Sequence, residues 1–241
     1  SDLDENYARE LMQLFTLGPV QLNMDGSVKT SNGVALETYG AADVSGLARV
    51  FTGLTWASSD NTTPDRNRTP LVMDARYHET EASTFLGTTV SGEGMAAVKT
   101  ALDTIFAHPN VPPFIGKQLI QKLVTSNPSP AYVSRVASVF ADNGKGVRGD
   151  MKAVIKAILL DQEARSASNL GNSGAALQFG KVREPVLRLT HWMRAFGAGS
   201  QSGNWLMTST SANTSLGQTP LAATSDRKST RLNSSHVKRS R

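Results

Sequence analysis

The opening stretch of the chain concentrates groups able to do polar chemistry. Glu5, Asn6, Arg9 and Glu10 fall within six residues. On a helix, Asn6 and Glu10 stand four apart, and Asn6, Arg9 and Gln13 form one polar strip. A carboxylate, a guanidinium and an amide grouped this way can hold a polar ligand, or tie a helix to its neighbour by ion pairs and hydrogen bonds. Asp43 and Arg49 flank the start of a second helical pattern. Asp43 fits either a catalytic carboxylate or a cap that favours the helix dipole. Arg49 is a partner for Glu10 or Asp43, because burying one charge alone is unfavourable. His78-Glu79-Thr80-Glu81 follows Asp74 and puts an imidazole close to carboxylates. Metal binding needs several such ligands to converge, yet no HExxH spacing exists and an extended segment points alternate residues opposite ways. No metal and no cofactor is assigned on this pattern. Arg183 and Glu184 precede a last helical pattern, on which Arg188, His191, Trp192 and Ala195 share a face. That mixed aromatic and basic face suits an acidic or sugar ligand, or packing on another part of the protein. The candidate site residues are therefore Glu5, Asn6, Arg9, Glu10, Asp43, Arg49, His78, Arg183 and Glu184, with no catalytic role assigned among them.

Other strings carry less. Gly144-Lys145-Gly146-Val147-Arg148-Gly149 is glycine-rich, but it lacks GxxxxGK[ST] and follows a helix, so a turn between helices is expected. His108 ends a helix before Pro109, where it can cap carbonyls. No Ser-His-Asp order, GxSxG elbow or GxGxxG fingerprint is present. The chain has no cysteine, which excludes disulfides, thiolate metal sites and a cysteine nucleophile.

The elements that must position these residues are mostly helices. Tyr7, Leu11, Leu14, Phe15 and Gly18 recur at helical spacing from a cap near Asp2, and Gly18-Pro19 stops the pattern. Asn23 to Ser27 signals a β-hairpin within residues 20–36. Helical patterns follow over 41–54, 94–107, 112–125, 130–141, 150–160 and 183–196, with short strand signals at 70–73 and 84–86. The fold class expected is mainly α, a multi-helix globular domain with a minor β-hairpin. Residues 1–198 are read as its helical core and 199–224 as a Ser/Thr/Gly-rich segment with little structure. Residues 225–241 are read as a disordered basic tail.

Charge supports that division. The whole chain carries 25 Lys and Arg against 20 Asp and Glu, for a net +5. Residues 225–241 hold six basic residues and one acid, so the first 224 hold nineteen of each sign. The sequence pI of about 9.6 is thus a property of the tail, and no nucleic-acid partner is implied. Asp226 to His236 (DRKSTRLNSSH) also matches the in-frame translation of a common sequencing-library adapter, so the tail is expected to be non-native and is set aside from function. With 39% hydrophobic residues the remainder can bury a core. No run of 18 apolar residues exists, so no membrane-spanning helix is expected.

Several strings in order resemble a bacterial family catalogued as domain of unknown function 1800. They are ENYARELMQLFTLG at 5–18, Thr38-Tyr39, Asp43-Val44, Phe51-Thr52-Gly53, Phe85-Leu86-Gly87 and His108-Pro109-Asn110-Val111. Gly116-Lys117-Gln118-Leu119, VTSNPSP at 124–130, GKGVRG at 144–149, Leu159-Leu160-Asp161 and Phe179-Gly180-Lys181-Val182-Arg183-Glu184-Pro185 continue the set. The resemblance covers roughly Asp4 to Pro220. It implies a large, mostly helical bacterial protein, periplasmic or extracellular, of which this chain is a fragment whose partner is the missing N-terminal half. Two functions compete on this reading: a binding or structural module of an exported protein, with its small-molecule or polymer ligand unassigned, and part of a hydrolase-like enzyme using the clustered carboxylate, Arg and His residues.

Overall fold

In a computed structural model of the chain, residues 3–60, 62, 66, 68–91, 94–166, 174–203 and 216 are described. The first helix, α1 (Glu5–Glu10), starts because the Asp4 carboxylate accepts from the Tyr7 N–H at 3.0 Å. Asp2, the expected cap, lies outside the described residues. The helix then widens into a π-helix over Leu11–Thr16. The Leu17 N–H bonds the Met12 carbonyl five residues back, and the Thr16 hydroxyl donates to the Leu11 carbonyl at 2.7 Å. The widened turn changes which side faces inward. Ala8, Met12 and Leu17 are fully buried, whereas Tyr7 and Phe15 of the expected apolar face are exposed. Spacing of four and then five residues selects this second set, and a period of 3.6 cannot.

Residues 19–37 form a small meander. Val20 pairs with Glu37 and Leu22 with Val28, and β1 (Thr30–Ser31) pairs antiparallel with β2 (Val34–Ala35). The joining turn is Asn32-Gly33, both at positive φ, as a hairpin turn matched to strand twist requires. The hairpin expected within 20–36 is present in this form. Next come α2 (Ala41–Val50), then β3 (Leu54–Thr55) paired with β4 (Val72–Met73), and β5 (Ser83–Phe85) paired with β6 (Thr88–Val90). The short strands expected at 70–73 and 84–86 are among these.

Helices dominate the remainder, as the periodicity predicts. These are α3 (Gly94–Ala107), α4 (Val111–Leu123), α5 (Pro130–Ala141), α6 (Met151–Leu160), α7 (Gln162–Arg165), α8 (Ala175–Gln178) and α9 (Pro185–Ala195). Ser129 caps α5 by accepting from Tyr132 N–H, and Asp150 caps α6 by accepting from Ala153 N–H. Prolines occupy the first turn of α4 and α5, where no backbone N–H is needed. Met12, Leu47, Phe85, Ile120, Tyr132, Val136 and Ile158 belong to one buried apolar cluster. The architecture is mainly α with minor β-hairpins.

The chain divides into two compact units, Ser1–Phe179 and Gly180–Arg241. The first holds everything through α8, and the second holds α9. The expected core of 1–198 spans this division. Most of the 199–224 segment, and all of the tail from 225, lie outside the described residues.

Candidate functional site

Three polar groupings in the first unit contain seven of the nine sequence candidates. In the first, α1 meets α2. One Glu5 carboxylate oxygen accepts from the Ser45 hydroxyl, and the other lies 3.7 Å from the Arg9 guanidinium. Asn6 donates to Glu10 at 3.4 Å. Burial raises the Tyr39 hydroxyl pKa, and the nearby Arg9 charge partly opposes that. The Tyr7 and Phe51 rings meet edge to face at 5.3 Å, so the polar contacts flank an aromatic seam between the two helices.

The second grouping is Asp43. One oxygen accepts from the Gly40 N–H at 2.7 Å and closes the start of α2. The other accepts from the Leu86 N–H at 2.7 Å. Leu86 and Gly87 form the two-residue turn between β5 and β6, both at positive φ. A branched residue rarely adopts that conformation, and the Asp43 carboxylate holds it there. Arg49 does not pair with Asp43 or Glu10; its guanidinium lies 3.5 Å from Glu79.

The third grouping surrounds Thr52. Its hydroxyl donates to the Arg49 carbonyl at 2.6 Å and accepts from the Glu79 N–H at 2.8 Å. Its carbonyl is 2.9 Å from His78 Nδ1. A carbonyl only accepts, so Nδ1 carries the proton in that bond. The other ring nitrogen, Nε2, is buried and has no hydrogen-bond partner among the described residues. Gly53, at φ +81°, lets the chain pass here, since a Cβ would come within 2.7 Å of the Asp74 carbonyl.

Among the described residues no hydrogen bond or ion pair joins Glu10, Asp43 and His78 to one another. Nor does any group of three or more His, Cys, Asp and Glu side chains converge as metal ligands would. Arg183 and Glu184 belong to the second unit, where Lys181 lies 3.6 Å from Glu184 and Glu184 sits at the start of α9. An open pocket of about 500 Å³ lies elsewhere, lined by Leu86, Thr88, Thr100, Asp103, Thr104 and His108. None of the nine candidates lines it.

Several side chains that brace other parts of the first unit were given no role by the sequence patterns. Asn110 is 3% exposed. Its amide nitrogen donates to the Leu17 and Val20 carbonyls at 2.7 and 2.9 Å, and its oxygen accepts from the Leu22 N–H at 2.7 Å. Arg148 reaches from the glycine-rich loop to the Phe106 and His108 carbonyls at the end of α3, both at 2.9 Å, beside the Phe106 and Phe140 rings. That loop is the turn between α5 and α6. Its Gly144 and Gly146 N–H groups bond Asp142, and its Lys145 and Val147 N–H groups bond Asn143, so these amides are engaged within the loop. Arg135 makes a paired contact with Asp161 at 2.7 and 2.8 Å.

Fold and groupings together define a mainly helical domain whose polar side chains brace one element against the next. The profile of a family described as "Protein of unknown function (DUF1800)" matches residues 1–226, and the chain belongs to that family. No curated protein and no solved structure matches it.

Proposed function

We propose that the chain is a binding or structural module of an exported bacterial protein, in which the polar clusters of α1, α2 and the 78–79 segment hold the fold. Asp43 carries the reading: both its oxygens are taken by backbone N–H groups that set a helix start and a left-handed turn. Asp43→Ala is expected to lower the urea midpoint by the equivalent of about 2 kcal/mol, since two donors lose a charged acceptor. Wild-type stability in that variant, with loss of a turnover that the wild type performs on chromogenic ester, phosphate or glycoside substrates, would overturn it.

One observation favours the second reading, a hydrolase-like enzyme: the buried, unpartnered His78 Nε2, whose lone pair is of the kind a general base supplies. On that reading, His78→Gln abolishes turnover of such a substrate while leaving the melting temperature near that of the wild type.

A further inference from the structure

We propose that the exposed side of α9 is a docking strip for an acidic polysaccharide, one bearing uronate-type carboxylates. Arg188, Trp192 and Phe196 stand at i, i+4 and i+8, which places them along one line of the helix over about 12 Å. The two rings touch, with centroids 5.2 Å apart and planes tilted by 44°. Both are largely open to solvent, Trp192 at 57% and Phe196 at 74%. An aromatic pair left in water is unfavourable unless something covers it.

Charge selects the occupant. Residues 185–195 contain no acid. Arg188, His191 and Arg194 are exposed, and their side chains make no hydrogen bond, ion pair or ring contact among the described residues. Guanidinium groups bind carboxylates by paired, planar hydrogen bonds. Aromatic rings beside them offer a flat apolar surface to the C–H face of a sugar ring. Val186, Leu189 and Met193 are half-buried, and Leu187 beside the line is 48% exposed, so an anionic lipid surface is the competing occupant that the vesicle arm below separates.

This inference deepens the binding half of the reading above. The Asp43 stability test does not depend on it, so the two can fail separately. The experiment uses the full 241-residue chain in native gels containing polygalacturonate, alginate or neutral dextran. Because residues 225–241 carry six basic side chains, the comparison is between variants that all retain them. Retardation by polygalacturonate and alginate, but not dextran, is expected. Trp192→Ala and Arg188→Ala are each expected to weaken it at least fivefold in apparent Kd with unchanged far-ultraviolet circular dichroism. Arg188→Lys, which keeps charge but loses the fork, is expected to fall between. The proposal is overturned if the wild type is not retarded, or if dextran retards it equally. Variants bound as tightly as wild type would place binding on the basic segment. Binding to phosphatidylglycerol vesicles without binding to polygalacturonate would make the strip a membrane contact instead. Either result overturns the proposal as well.

Discussion

Asn110 shows how one uncharged side chain can do more for this fold than the charged ones around it. Its three bonds join the end of the π-helix, the first strand of the meander and the start of α4. All three partners are backbone groups with no intrahelical mate at those positions, so each would be left without a partner if the amide were lost. Asn110→Asp keeps the size and removes both amide donors, setting a carboxylate against the Leu17 and Val20 carbonyls. A destabilisation of about 3 kcal/mol is expected, measured by urea unfolding. A loss under about 1 kcal/mol would mean that water or rearrangement replaces the clamp. The ionisable residues that sequence spacing singled out behave differently. Glu5 and Arg9 were both singled out, though not as a pair; they stand 3.7 Å apart because the four-residue helical spacing brings them together. Arg49 was read as a partner for Glu10 or Asp43, but contacts Glu79 across a loop. That pairing depends on how β3 and the 74–79 segment fold back, which no local period encodes. The clamping role of Asn110 was not readable for the same reason, since its partners lie 88 to 93 residues away.

Among the elements, helices were readable where their faces keep one period. α3 and α5 match their expected bounds, and α6 differs by a single residue at its start. In each, apolar side chains recur at 3.6 and a proline, serine or aspartate marks an end. The π-helix was not readable, because its buried set advances by five residues and borrows no special residue type. The Asn32-Gly33 turn carried a signal that an Asn-Gly search would find. The α2 and β5 contact makes a test of packing against propensity. Gly46 lies inside α2, where alanine would ordinarily add about 1 kcal/mol of helix stability. Its missing side chain, however, lets β5 approach: a Cβ would come 2.2 Å from the Thr84 carbonyl oxygen, which is backbone. The Ser83 hydroxyl also donates to the Gly46 carbonyl at 2.7 Å, fixing the two elements together. Gly46→Ala should therefore destabilise, by about 2 kcal/mol net, because overpacking against an immobile carbonyl exceeds the propensity gain. A raised melting temperature would show that α2 and β5 can part without loss.

At the scale of the whole molecule, acid is the condition that should expose how these braces are distributed. Two half-buried groups, His108 and Asp161, carry shifts of the same sign in different pH ranges. His108 is held below its usual pKa first by burial, then by the Arg148 and Lys29 charges. Its Nδ1 accepts from the Asn110 N–H at 3.1 Å, a bond the protonated ring cannot make. The unfolded chain therefore binds a proton more readily than the folded one as pH falls below about 6.5. Stability is then complete above that value and declines as pH drops through the folded pKa. Asp161 has the same sign at lower pH. Burial raises its pKa, but the Arg135 hydrogen bonds, the Glu163 N–H and the Arg135 charge together bring it below the usual carboxylate value. Its contribution is present above about pH 4 and is lost as pH falls below that. Urea midpoints should thus fall in two steps, one beginning near pH 6.5 and one below about pH 4. His108→Gln should flatten the first step and spare the second, while Arg135→Gln should reduce the second and spare the first. The two sites share no hydrogen-bond partner, since His108 closes the α3–α4 junction through the Asn110 N–H and Asp161 joins α5 to α7. Their effects should therefore add in the double variant. A first step that survives His108→Gln unchanged would move the acid sensitivity to other titrating groups and remove the α3–α4 junction as its origin.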